Sequence, residues 1–294
     1  MKKYLKLKTK TINIFFESRM LHIFLLGIIS GFPWVLIGST LTLWLKEDGL
    51  SRSTIGWAGL IFTVYAINYL WAPFVDKLKI PYFSQKIGHR KSWILLTQFI
   101  ISLCLLLWVF ADPKQHLNFV ILIGLIIAIC SSTQDISIDA LRIELIQKAE
   151  KKLIAAGASI SVVGWWTGFK IGGLLSLFTS DFLQRLGYSN YWQISFIFLF
   201  FLILILNLLL LRVKETKTKN YIKHNEIVSK KSKSFHFIKI NIKNYFSWIT
   251  STILEPIIDF FRKNGITISI GILSFIFLFK IGEAFLGRMS IIFY

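Results

Sequence analysis

Cysteine, histidine and acidic side chains are all sparse in this sequence, and each shortage removes a class of function. The two cysteines, Cys104 and Cys130, lie in separate apolar runs without forming a close pair, which excludes a disulfide framework and a cysteine metal site. His22, His89, His116, His224 and His236 are scattered without metal-ligand spacing, and no nucleophile motif accompanies them. A membrane enzyme such as a lipid-linked transferase is therefore the weakest of the functional classes. The expectation is a protein that is not an enzyme and carries no cofactor or metal. A small-x-small cleavage site is lacking after the first apolar block, which is also longer than a signal h-region, so the block reads as an uncleaved span.

Acids number 15 against 34 lysines and arginines, a net charge of +19 that would suit nucleic acid if the cations formed one patch. They do not. With the N-terminus assigned to the cytoplasm, 27 of the 34 fall in segments 1–19, 76–91, 139–152 and 212–265. Only Lys46, Arg52, Lys114 and Arg185 fall in the opposite loops, while Lys170, Lys280 and Arg288 lie inside apolar runs. This is the positive-inside distribution, and no nucleic-acid partner is needed to explain it.

What the chain has in abundance is apolar bulk: 54% of residues are hydrophobic and 16% aromatic. They fall into blocks long enough to cross ~30 Å of hydrocarbon at ~1.5 Å per residue. Boundary charges and turn residues predict spans near 20–45, 54–75, 92–111, 117–138, 153–178, 190–211 and 266–291. The second is interrupted by Asn68 and Pro73, breaks that membrane helices tolerate. The fold class expected is an all-α membrane protein, with a six-helix N-terminal bundle of the major-facilitator type and one helix of an incomplete second half.

The division follows composition: a basic N-terminus over 1–19, six spans over 20–211, a basic linker over 212–265 and a seventh span over 266–294. The linker opens on a Lys-rich run suited to an anionic inner leaflet. Its later part sets Trp248, Ile253, Ile257, Phe260 and Phe261 near one face, either as an interfacial helix or as a lead-in to the next span. Five further spans of that layout do not follow before Tyr294, so the expectation is a truncated or split second half.

The charges inside the apolar runs are the candidate site. Asp135 and Asp139 are four apart and share a helix face, with Arg142 three further on. An acid at such depth costs ~2.5–3.5 kcal/mol on insertion scales, so it normally faces a cavity or a partner. Arg142 is within reach of Asp139, and the two either belong to the pathway or cap the helix. Asp135 lies deeper and farther from that cation, and is the better proton carrier. Lys170, flanked by Gly168, Gly172 and Gly173, either meets an acid or an anionic solute group, or snorkels outward. Lys280 and Glu283 are three apart and can pair locally, and their depth makes them pathway candidates too. Between spans two and three, Asp76 at a helix exit and Arg90 in GHRK read as a gating pair. The neighbouring lysines read as ordinary positive-inside charges.

SGFPW in span one, LWAPFVDKL with GHRKSW, SSTQDISIDALR in span four, and EPIIDFFRKNG leading into FLFKIGEAF occur in order from about residue 20 to 290. Together they resemble the AmpG muropeptide permease family. The resemblance implies a facilitator fold in a bacterial inner membrane. It also implies proton-driven import of anhydro-muropeptides, the disaccharide-peptide fragments of cell-wall turnover. By the same resemblance Asp135, in the matching TQD, carries the proton-coupling role. The partners expected are the bilayer, protons, a glycopeptide solute and a separately encoded second half. The alternatives are a remnant that inserts without transporting alone, or a facilitator for another solute such as acetyl-CoA, whose transporters share parts of the pattern.

Overall fold

The computed structural model describes residues 15–146, 151–213 and 255–293, and it is helical almost throughout. Among the described residues, six helices are long and apolar enough to span a membrane: Ser18–Glu47, Arg52–Leu70, His89–Val109, Pro113–Leu145, Leu153–Arg185 and Tyr191–Arg212. A bent pair, Ile258–Asn264 and Ile266–Phe279, brings the count to seven if it is taken as one span. Most of the Lys-rich linker, with Trp248 and Ile253, lies outside the described residues.

Large apolar side chains are exposed all round the bundle, including Phe99, Phe178, Phe201 and Leu208. In water such a surface would aggregate, whereas in lipid it costs nothing. This is a multi-pass membrane protein.

Contacts between helices close a ring. Span five lies along span one, one along four, four along three, three along six, and six returns to five. Span two leans on span four, and the seventh helix touches span two.

Spans one and five meet through glycine. A Cβ on Gly31 would run into the backbone carbonyl of Trp165, one on Gly164 into that of Phe24, and one on Gly168 into that of Ile28. Only glycine permits this backbone approach. The centre of the far end is filled by Trp44, Trp108 and Phe196, with Phe196 centred 4.8 Å from Trp44 and 5.4 Å from Trp108.

Spans one and two depart most from regular helix, and span four only at His116 near its start. Span one has Pro33 inside it and continues through a π-helical turn, Leu36–Thr40, before regular helix resumes over Leu41–Glu47. Span two was expected as one helix over 54–75, but it is a chain of short pieces. Arg52–Ala58 is α-helical, Gly59–Thr63 is 3₁₀, Val64–Ile67 is α-helical, Asn68–Leu70 is 3₁₀, and Ala72–Lys77 is α-helical again. Pro73 has no N–H to give the carbonyl of Tyr69, which interrupts the ladder at the last of these breaks. The helix Glu255–Asn264 ends at Gly265, whose φ of +77° only glycine adopts readily, and the chain turns by 115° into Ile266–Phe293.

Candidate functional site

Pro33 has a second consequence, reaching across to span four. A proline at 33 leaves the carbonyl of Ile29, one turn earlier, without its helical donor. Gln134 of span four takes that place, its Nε2 donating to Ile29 O at 2.8 Å, while its Oε1 accepts from Gln98 Nε2 of span three at 2.8 Å. Gln98 and Gln134 are both fully buried, so these bonds have little competition from water. Spans one, three and four are therefore pinned at the residues beside Ser30 and Asp135.

Ser30 Oγ donates to Asp135 Oδ1 at 2.6 Å, closing the contact between span one and span four. Asp135 lies ten residues before Leu145, about 15 Å along the helix, well inside the bundle. Tyr65, from the broken span two, lies close enough to interact with both Asp135 and Ser131, although its hydroxyl closes no hydrogen bond of ordinary geometry. Trp71, also on span two, donates from Nε1 to Thr133 Oγ1 at 3.0 Å. An acid, hydroxyls and aromatic rings thus converge where three spans meet.

The other expected residues divide into two groups. Arg142 bridges its own neighbour and the next span, with NH2 3.1 Å from Asp139 and NH1 donating to Ser161 Oγ of span five at 2.9 Å. The Asp139 side chain is 62% exposed, so it does not share the enclosed environment of Asp135. Lys170 is exposed and lies over the Trp166 ring, 5.8 Å from its centre, rather than facing Asp135. Lys280 and Glu283 are on the helix Ile266–Phe293, and their side chains lie outside the described residues.

At the bundle end formed by the starts of spans one, three and five, Asp76 and Arg90 meet. Arg90 NH1 is 2.5 Å from Asp76 Oδ1, and its Nε is 3.3 Å from Glu144 Oε1 on span four. The guanidinium is buried and carries both acids on its planar fork. Next to it, Lys91 donates from Nζ to Leu211 O at 3.1 Å and Val213 O at 2.6 Å, capping the last turn of span six with a cation.

The sequence pattern of the Major Facilitator Superfamily matches residues 23–293. The chain belongs to that superfamily. Members of that superfamily are membrane transporters rather than enzymes. Over 282 residues, 96% of its length, it is 32% identical to "Putative transporter AmpG 4" of Rickettsia conorii. Over 187 residues, 63% of its length, it is 31% identical to "Anhydromuropeptide permease" of Escherichia coli. This facilitator spans about 61% of the length of the Rickettsia relative.

Five residues of the site escaped sequence reasoning. Glu144 was legible in principle, because a buried arginine at a helix start needs more than one half-wet acid. Pro33 and Gln134 were also legible in principle, since a proline within a span predicts an orphan carbonyl and a nearby amide to serve it. Ser30 and Tyr65 gave no signal, because uncharged residues in apolar helices are common and only the fold brings these two to Asp135.

Proposed function

We propose that this facilitator works in the proton-coupled import of anhydro-muropeptides across a bacterial inner membrane, with its N-terminus in the cytoplasm. The observation that carries the reading is Asp135, an acid about 15 Å inside a spanning helix that accepts from Ser30 of another span and has Tyr65 close by. A carboxylate so placed is costly when charged and marks a pathway. In the neutral state it keeps its partner, because Ser30 can accept as readily as donate. The solute class draws on the name of the Escherichia coli relative.

Asp76 and Arg90 act as a gate in this reading, with Glu144 as the third member. Breaking their contacts frees spans two, three and four at the cytoplasmic end to rock. Lys170 meets an anionic group of the solute on its way past span five. Arg142 with Asp139, and Lys280 with Glu283, supply charge along the same route. We further propose that transport requires further spans, which a second polypeptide can supply. Span five supports this, being the least enclosed of the six, 22% buried against 61% for span one.

Uptake of labelled anhydro-muropeptide into vesicles holding the chain and such a partner tests the reading. The expected result is uptake that requires an inward proton gradient and falls at least about tenfold in Asp135→Asn. Uptake indifferent to both the gradient and Asp135 would sink it.

A further inference from the structure

Above Asp135 the inner face of the bundle is aromatic, and two of its polar atoms are left over. Trp34 is one turn beyond Ser30 on span one. Its ring centre is 4.5 Å from Tyr65, 4.9 Å from Phe62 and 5.6 Å from Trp165 of span five. Trp165 in turn lies parallel to Phe169, 5.5 Å away with 4° between the planes. The glycine seam fixes these rings, since Trp165 follows Gly164 and its own carbonyl is the group that a Cβ on Gly31 would strike.

A buried tryptophan or tyrosine ordinarily settles its polar end on an acceptor. Four other tryptophans in this protein do so. Trp71 donates to Thr133, Trp93 to Leu78 O, Trp108 to Val120 O and Trp192 to Glu47. Trp34 Nε1 is the one buried indole N–H without a partner among the described residues, and Tyr65 OH, on the adjoining ring, is buried without a bond of ordinary geometry as well, the Ser131 hydroxyl beside it being unsatisfied too. Tyr65 is only 7% exposed, so bulk water does not stand in for the missing acceptor. Two unpaired donors side by side call for an explanation, and a ligand that brings acceptors supplies one.

The rest of the cluster fits the same ligand. Trp34 and Trp165 are only half-buried, so their rings are not enclosed as those of Trp44 and Trp108 are. Flat apolar faces beside hydrogen-bond donors match a pyranose ring, which has a C–H face and a rim of hydroxyl and ring oxygens. A peptide or a bare anion would use the donors but leave the rings idle.

We propose that Trp34, Tyr65 and Trp165 form a saccharide subsite that takes a pyranose of the solute, with Trp34 Nε1 and Tyr65 OH donating to its oxygens. The subsite adjoins Asp135, so an occupied sugar sits within reach of the group that binds the proton. The inference rests on the glycopeptide reading above and assigns its sugar part to these residues.

Equilibrium binding of labelled anhydro-muropeptide to the full chain, together with the second polypeptide, in lipid nanodiscs tests it. Competitors are the anhydro-disaccharide without its peptide and the peptide without its sugar. The disaccharide is expected to compete and the peptide not. Trp165→Ala should weaken binding about tenfold, and Trp34→Phe and Tyr65→Phe, which keep the rings and remove only the donors, about threefold to tenfold each. Trp165→Phe, which keeps an aromatic face, should stay within about threefold of the native chain. Muropeptide binding that is displaced by the peptide alone, or that is unchanged in the two phenylalanine variants, overturns the subsite and leaves the transport reading standing. Failure of the native chain to bind muropeptide at all overturns the solute assignment and the subsite with it.

Discussion

At one end of the bundle a single guanidinium, Arg90, reaches Asp76 on span two and Glu144 on span four. At the other end a single carboxylate, Glu47 of span one, accepts from Tyr191 OH at 3.0 Å and Trp192 Nε1 at 2.8 Å, both on span six. At each of these two sites one side chain holds its neighbours, but the first is answered by charge and the second by neutral donors. A charge-on-charge fastening is strong while dry and weakens as water or salt enters. Neutral donors on a carboxylate at a wet rim hold less tightly and change little with ionic strength. The contrast bears on the gate proposed above, since only the first fastening is one that water or salt loosens.

Removing Arg90 should break the contrast most. Arg90→Ala strands two carboxylates and should lower stability by about 2 kcal/mol, less than the ~3–5 of a fully buried pair because both acids are partly wet. Thermal unfolding in detergent reads this, and an unchanged midpoint would remove the basis for treating the ends differently.

Asp76→Asn and Glu144→Gln each leave Arg90 one carboxylate and should cost about 1 kcal/mol apiece. The double variant should cost more than their sum, since it leaves the buried cation bare. A double-mutant cycle measures that excess, and strict additivity would show the three groups to be independent.

Glu47→Gln keeps an acceptor for Tyr191 and Trp192 and should cost under about 1 kcal/mol, with the same loss in low and high salt. A loss that shrinks with salt would mean that the Glu47 end is ionic after all.

The smallest effect concerns Asp48, beside Glu47. Burial raises its carboxyl above the ordinary range, Lys114 opposes this, and Asp112 and Glu47 add to it. A raised value in the folded state means that folding favours the proton. The contribution is therefore full below the unfolded value and is lost as pH rises through the folded one. Asp48→Asn should flatten this slight acid-side gain in a pH series of unfolding midpoints, and an unaltered series would assign it elsewhere.

What could be read from sequence was whatever carried charge into an apolar run. Asp135 stood out because an isolated charge in lipid requires a partner, and Asp76 and Arg90 stood out at the border of such runs, as an acid at a helix exit opposite a basic loop cluster. The matching hydroxyls, rings and amides did not stand out, because their significance depends on which helix faces which. The span boundaries followed from apolar runs and lie within about five residues of the described helices except at the ends of spans four and five, since span four runs on to Leu145 past an expected end at 138. The helix of span five, Lys151–Arg185, runs past the expected end at 178 and carries the Asp181–Arg185 pair at 2.9 Å on its last turn. The segmentation of span two followed from local proline and glycine chemistry, and composition alone does not report it.

The glycine seam has a mechanical consequence. Where backbone rests on backbone there are no side chains to shear or to change rotamer, so spans one and five behave as one stiff beam. Ser30 and Trp34 ride on one flange of that beam and Trp165 on the other. Any tilt carries all three together past Asp135 on span four. The distance between the rings would then hold constant through a transport stroke, while the distance from the rings to the acid would vary.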